Sequence, residues 1–407
     1  MNRGQVAASQ RLTTSQANRP TGRLTLVHNS SPRLPELDAL RGLMLLGMTL
    51  THLPTRASLY AYQPLGFVAW AEGFVLVSAL LTGRIYGTLL QYKSLCAVLK
   101  RLWLRGTKLY AYHLGLLAVA FTVVAAIAAD TQQPALQGLL DFYLAHRAQA
   151  IISAVFLLYA PPLLDILPMY IFFLILTPLF LYVGQRCGWK FVVTPSALLW
   201  LAAQFGVRGA VYGFFVERVG LSIPLRNLGA FDVYAWQLLW IFGLWVGTGA
   251  STQLLHWLSS LWAIVLACLV AATFFMLRYQ LIFVTHPVDQ GNAWVLFDKW
   301  QLGVLRLLNF LAFGILFNAL RPYIARRLAW GPLVLLGKSS LEIFCIHVLF
   351  CFAALSLVGD GATAPLTYQV AIVTISLLGL YASAYLRGKP KTQRSIARSV
   401  VFASPSE

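Results

Sequence analysis

Ten apolar runs recur along the chain, at residues 38–59, 65–87, 109–129, 167–183, 193–213, 234–249, 261–284, 303–320, 332–356 and 366–386. Each is close to the roughly 20 residues that a helix needs to cross the hydrocarbon of a bilayer. Lipid offers no hydrogen bonds, so backbone amides there must be satisfied within the segment, and such runs fold as helices. The expectation is an all-α membrane protein, a bundle of ten transmembrane helices. Composition agrees, with 59% hydrophobic and only 11% charged residues. An eleventh run, 148–164, ends in Pro161-Pro162 and leads into Asp165 and Pro168. It reads as a broken or interfacial helix, because a full crossing there would set the charge pattern at the two ends of the chain at odds.

The net charge of +18 gathers in the two tails and a few short loops. That is the pattern of cytoplasmic loops, and it argues against a nucleic-acid surface. Residues 1–36 carry five arginines and no acid before Glu36. With no apolar core they read as a basic disordered cytoplasmic tail rather than a secretory signal. Residues 387–407 read the same way, leaving 37–386 as the transmembrane domain. Counting inward from both tails places both termini in the cytoplasm, together with the basic stretch Lys93–Lys108. The stretches 130–147, 214–233 and 285–302 then lie outside. The cysteines show no metal-ligand spacing, and the chain contains no zinc motif, Walker loop or dinucleotide fingerprint. No bound metal or permanent cofactor is expected.

Within this apolar background, Leu37–Thr55 carries Asp38, Arg41 and His52. Ionisable groups in a spanning helix are costly and mark functional paths. At about 100° per residue, Arg41 and His52 fall within about 20° of one direction, and Asp38 lies about 40° from His52. They form one stripe, about 16 Å long between Arg41 and His52, with Leu45 and Met48 between them. The stripe joins one membrane surface to the interior. Glu72, in the next helix, lies at a depth like that of His52 and is the expected partner of its imidazole. On the other side, Arg84, Lys100, Arg101 and Arg105 form a basic mouth suited to a polyanionic nucleotide such as coenzyme A. In the ninth run, Glu342 and His347 are five residues apart and do not share a face, so one is expected to line a cavity while the other packs, with Glu342 the choice. His113, His146, His256 and His286 are expected at interfaces or in loops.

These residues resemble a known family. Leu37-Asp38-Ala39-Leu40-Arg41-Gly42, with His52 following Arg41 after ten residues, is similar to the entry motif of the acyltransferase 3 family. The fuller set resembles the OpgC branch, which modifies osmoregulated periplasmic glucans. It comprises Ala71-Glu72-Gly73-Phe74 with Ser78, Asp165 through Tyr170, Ala235-Trp236-Gln237, Asp298-Lys299 with Leu305-Arg306, and Gly337 through Cys345. Ala79 stands where the pattern usually has Gly, and Ala230–Val233 departs from an expected Phe-Asn-Pro.

The resemblance implies a ten-helix acyltransferase of the bacterial inner membrane. It would take a succinyl group from cytoplasmic succinyl-CoA, used as a substrate, to hydroxyls of a periplasmic glucan. Its partners would be the bilayer, acyl-CoA, the glucan and glucan-synthesis proteins. His52, Glu72, Arg41 and Asp38 would be catalytic, with Ser78, Asp165, Tyr170, Trp236, Gln237, Glu342 and His347 lining the cavity. Two alternatives stay open: an O-acetyltransferase of the same fold acting on another polysaccharide, and a proton-coupled transporter or flippase using the same stripe as a relay.

Overall fold

The computed structural model describes residues 34–220, 222–281, 294–359, 361 and 364–388. Residues 1–33 and 389–407, and His286, lie outside the described residues. The chain begins with α1 (Pro35–His52), α2 (Ala57–Ala61), α3 (Trp70–Tyr92) and α4 (Leu95–Val119). α4 continues through a π-helical turn at Ala120–Val124 into α5 (Ala125–Thr131). Three short helices follow, α6 (Pro134–Leu139), α7 (Asp141–Ala145) and α8 (Arg147–Val155). Then come α9 (Ile166–Arg186), α10 (Lys190–Ala203), α11 (Val207–Val219), α12 (Val233–Gly247) and α13 (Thr252–Leu258). The last group is α14 (Leu261–Arg278), α15 (Trp294–Phe297), α16 (Val304–Leu328), α17 (Gly331–Lys338), α18 (Ser340–Val358) and α19 (Leu366–Gly388). Among the described residues there is no β-strand.

Among the described residues, seven helical segments are long and apolar enough to cross a membrane, and counting each of two bent pairs, α10 with α11 and α12 with α13, as one span raises the number to nine. The expected count of ten is not reached on length and composition, because α1 packs Glu36, Asp38 and Arg41 into eighteen residues. Several expected runs are also divided. The first stops at His52, before Pro54, which cannot continue a helix. The run 193–213 bends by 78° and the run 234–249 leads into a 103° bend. Gly206, at φ 86°, and Gly249, at φ 78°, supply the left-handed residues that these breaks require. The run 332–356 breaks at Ser339 between α17 and α18. Residues 148–164 form the nine-residue α8 and then irregular chain up to Asp165.

The stretch Lys93–Lys108 is mostly helical rather than a loop. Ser94 caps α4 by accepting from the Ala97 amide at 3.4 Å, and a continuous helix then runs to Thr131. Its basic residues therefore project from the first turns of a long helix. His113, expected at an interface, is buried on the same helix.

Two helix pairs hold the bundle by close backbone approach. α1 lies on α17, where a β-carbon at Gly42 would collide with the Leu333 carbonyl and one at Gly337 with the Asp38 carbonyl. α3 lies on α12, with Gly83 against Leu244 and Gly247 against Leu80 and Arg84. Small residues at such crossings let backbones pack where lipid offers no hydrophobic drive. We predict that Gly337→Val destabilises the fold by about 3 kcal/mol or more, seen as a several-fold loss of monodisperse protein in detergent. Gly314→Val, where a β-carbon meets nothing within 4 Å, leaves the yield unchanged.

Candidate active site

The polar stripe of α1 is tied to α18 at both ends. At one end Arg41 donates to Ser340 Oγ, and its guanidinium lies 5.7 Å from the centre of the Phe74 ring. At the other end His52 Nδ1 lies 3.2 Å from His347 Nε2, with the two rings stacked at 5.5 Å. His347 Nδ1 in turn lies 2.6 Å from the Phe344 carbonyl oxygen. A carbonyl only accepts, so His347 Nδ1 carries the proton. With both rings neutral, His347 Nε2 offers a lone pair and His52 Nδ1 donates to it. His52 Nε2 is then the nitrogen left with a lone pair, the form a general base requires.

Two cavities flank this stripe. The inner one, about 60 Å³, is lined by Arg41 and Arg105 together with Ser78, Tyr170 and Ser340. Arg41 Nε, Ser78 Oγ and the Tyr170 hydroxyl are buried and have no hydrogen-bond partner among the described residues. Arg105 also donates to Thr82 Oγ1 at 3.4 Å. The outer cavity, about 480 Å³, is lined by His52, Asp165 and Lys299 and by the rings of Tyr62, Trp70 and Trp300. Ile166 and Phe344 belong to both walls, so they stand between the chambers. A small cationic chamber thus adjoins a larger one with aromatic walls and a base.

Several sequence-based expectations change. Glu72 does not meet His52. Its Oε1 accepts from Arg306 Nε at 2.6 Å, and both side chains are completely buried. Glu72 Oε2 accepts from the Ala69 amide at 3.1 Å and closes the start of α3. Arg306 Nη1 donates to the Phe297 carbonyl at 3.1 Å. The Gln63 amide, turned with its oxygen inward, accepts from Arg306 Nη1 and Nη2 at 3.0 and 3.2 Å. The pair is therefore fully satisfied, as a buried pair must be.

Glu342, rather than His347, turns away from the stripe. It accepts from Lys108 Nζ at 2.6 Å and lies 3.9 Å from Arg387, joining α18 to α4 and α19. Trp236 and Gln237 are buried supports. Trp236 Nε1 donates to the Trp300 carbonyl at 3.0 Å, and Gln237 Nε2 donates to the Ser196 carbonyl at 2.8 Å. Ser78 and Tyr170 line the inner cavity and Asp165 the outer one, while Asp38 packs its carbonyl on Gly337. Of the basic mouth, Arg105 reaches the inner cavity, Lys100 and Arg101 are exposed, and Arg84 is half-buried beside Gly247.

Sequence reasoning left Arg306, Lys299 and Ser340 out of the site. An arginine three residues into an apolar run was the available signal for Arg306. Lys299 and Ser340 stand within the motifs Asp298-Lys299 and Gly337 through Cys345, which carry the resemblance but give neither residue a role.

The apolar helices define a multi-pass membrane protein whose interior holds two adjoining polar cavities. The chain belongs to the OpgC protein family, whose model matches residues 33–392. Membership implies a transferase of the acyl-transferring, glucan-modifying kind. No curated protein and no solved structure matches the chain.

Burial holds the Asp165 carboxyl up to about 6, opposed by its hydrogen bond from the Ala230 amide and by the charge of Lys299. Between its ordinary value of 3.8 and about 6, the unfolded chain has released this proton while the folded chain keeps it. Asp165 therefore makes stability fall as pH rises through that window. Thermal melts from pH 4 to 7 should lose this slope in Asp165→Asn. For the buried pair, Glu72→Gln and Arg306→Met should each cost about 3–5 kcal/mol. The double variant should cost clearly less than their sum in the same melts.

Proposed function

We propose that the protein is a transmembrane O-acyltransferase that moves a succinyl group from cytoplasmic succinyl-CoA to hydroxyls of periplasmic glucans. It sits in the bacterial inner membrane with both termini cytoplasmic. α1, the first helix, completes the count of ten spans, with Glu36, Asp38 and Arg41 confined to its first two turns. The observation that carries this reading is the hydrogen-bonded series from Phe344 through His347 to His52, placed on the wall of the larger cavity. It lies at the far end of the helix that holds Arg41 in the cationic chamber. Family membership supports the reaction class.

In this reading Lys100 and Arg101 meet the nucleotide of the donor, and Arg105 and Arg41 guide the arm that carries the thioester. About 16 Å separates Arg41 from His52 along the helix, a span for the extended thiol arm rather than for a single reacting group. Arg41 is thus a donor guide, and the carbonyl reacts near His52. Asp38, one turn before Arg41, biases its fork.

A sugar hydroxyl in the outer cavity gives its proton to His52 Nε2 as its oxygen attacks the thioester carbonyl. The imidazolium so formed keeps its Nδ1–H on His347 Nε2. When the C–S bond breaks, the same Nε2–H protonates the departing thiolate, releasing CoA–SH and the ester and restoring His52. His347 is a positioning residue that holds the tautomer. Glu72 contributes indirectly, by fixing Arg306 and the chain beside it.

General-base assistance is worth about 10²–10⁴-fold. His52→Ala should therefore abolish glucan esterification while the protein remains inserted, as read by mass spectrometry of glucans from a complemented deletion strain. Glucans that keep their succinyl esters with His52→Ala would defeat the reading, and loss of acetyl instead of succinyl esters on deletion would change the acyl group. His347→Ala should lower kcat by about 10–100-fold with little change in KM, and should alter the pH profile. In liposomes, CoA release should require glucan, and proton-coupled uptake without thiol release would favour transport.

A further inference from the structure

The loop between α15 and α16 holds a feature that the reaction above leaves unused. Lys299 is only 8% exposed and lines the same cavity as His52. Its Nζ lies 4.5 Å from the centre of the Trp300 ring and 5.2 Å from that of Tyr62. Among the described residues it makes no ion pair. Burial pushes its pKa below the usual lysine value, and the more distant charges of Glu72 and Asp165 oppose that shift. Arg226, the other cation lining this cavity, is 78% exposed and already lies 3.6 Å from Asp141.

The backbone carrying Lys299 is held unusually firmly. Arg306 Nη1 donates to the Phe297 carbonyl at 3.1 Å. The Trp300 carbonyl accepts from the Asp232 amide and from Trp236 Nε1, each at 3.0 Å. Gln204 Nε2 donates to the Gln301 carbonyl at 2.9 Å, and Trp200 Nε1 to the Leu302 carbonyl at 3.0 Å. Asp298 Oδ1 accepts from the Trp300 amide at 2.9 Å. Side chains from α10, α12 and α16 thus fix a short segment whose one ammonium faces a cavity.

A buried ammonium without a counter-charge is expensive, and a neutral polyhydroxyl acceptor does not call for one. Aromatic faces offset part of that cost, and a carboxylate completes the compensation with charge-assisted hydrogen bonds. The donor's phosphates belong to the basic face of α4, so the anion that comes close to His52 is carried by the transferred group itself. We propose that Lys299 is the specificity-determining residue that receives a carboxylate at the far end of the acyl chain and so selects a dicarboxylic acyl donor over a neutral one. This rests on the acyltransferase reading given above.

The test uses the full-length protein in nanodiscs, with a β-glucan acceptor and either succinyl-CoA or acetyl-CoA, following CoA thiol release. Wild-type protein should prefer succinyl-CoA in kcat/KM. Lys299→Met should reduce the succinyl-to-acetyl ratio by about 10–100-fold, the range for losing a charged hydrogen bond, and Lys299→Arg should restore most of it. A Lys299→Gln variant serves the same comparison if the methionine variant does not stay monodisperse. Equal loss with both donors, leaving the ratio intact, would overturn the proposal, as would a wild-type preference for acetyl-CoA. Wild-type protein that transfers neither group would instead overturn the acyltransferase reading, and the role of Lys299 with it.

Discussion

The close approach of α1 to α17 is the constraint on which the rest of the site depends. Gly42 and Gly337 let the two backbones touch at the Leu333 and Asp38 carbonyls. α18 begins at Ser340, just beyond the end of α17, so this contact also sets where α18 runs relative to α1. Arg41 then meets Ser340 and His52 meets His347, one bond at each end of the stripe. Two side chains of minimal size thus position two groups about 16 Å apart along one helix. A bulkier residue at either glycine would move both ends together.

The ionisable groups buried in the bundle divide into two kinds. Glu72 and Arg306 neutralise each other, and their remaining hydrogen-bonding capacity is taken up by Ala69, Phe297 and Gln63. They are scaffold, and they steady the segment that follows Phe297. His52, Lys299 and Arg41 instead line cavities and keep capacity unused. Chemistry belongs to the second kind, because a group already satisfied on all sides has nothing left to offer a substrate. That distinction moves Glu72 from the role of base partner to that of support, and it brings Lys299 forward.

Helical periodicity made the stripe of Arg41 and His52 legible, because the angular spacing of residues on one helix follows from the sequence alone. The apolar runs likewise located most of the helices, and Ser94 was an available signal that α4 begins before its basic residues. Azimuth between helices was not legible. Depth alone made Glu72 a plausible neighbour of His52, but Arg306, 234 residues further along, takes it. The same limit applies to Glu342 and His347. Their five-residue spacing shows that they diverge, yet only the positions of α1, α4 and α19 decide that the histidine meets the stripe and the glutamate meets Lys108. The bend at Gly206 breaks the apparently straight run 193–213, and hydropathy averages over such a break.

The central claim is that one helix carries an acyl group from a cationic chamber to a base. It is tested most directly by the structure of the full-length protein in nanodiscs with a non-hydrolysable thioether analogue of succinyl-CoA. The account predicts the nucleotide against Lys100 and Arg101, the arm passing Arg41 and Arg105, and the carbon beside the sulfur within reach of His52 Nε2. An analogue whose acyl end stops in the chamber of Arg41 and never passes Phe344, or one that enters from the His52 side, would contradict it.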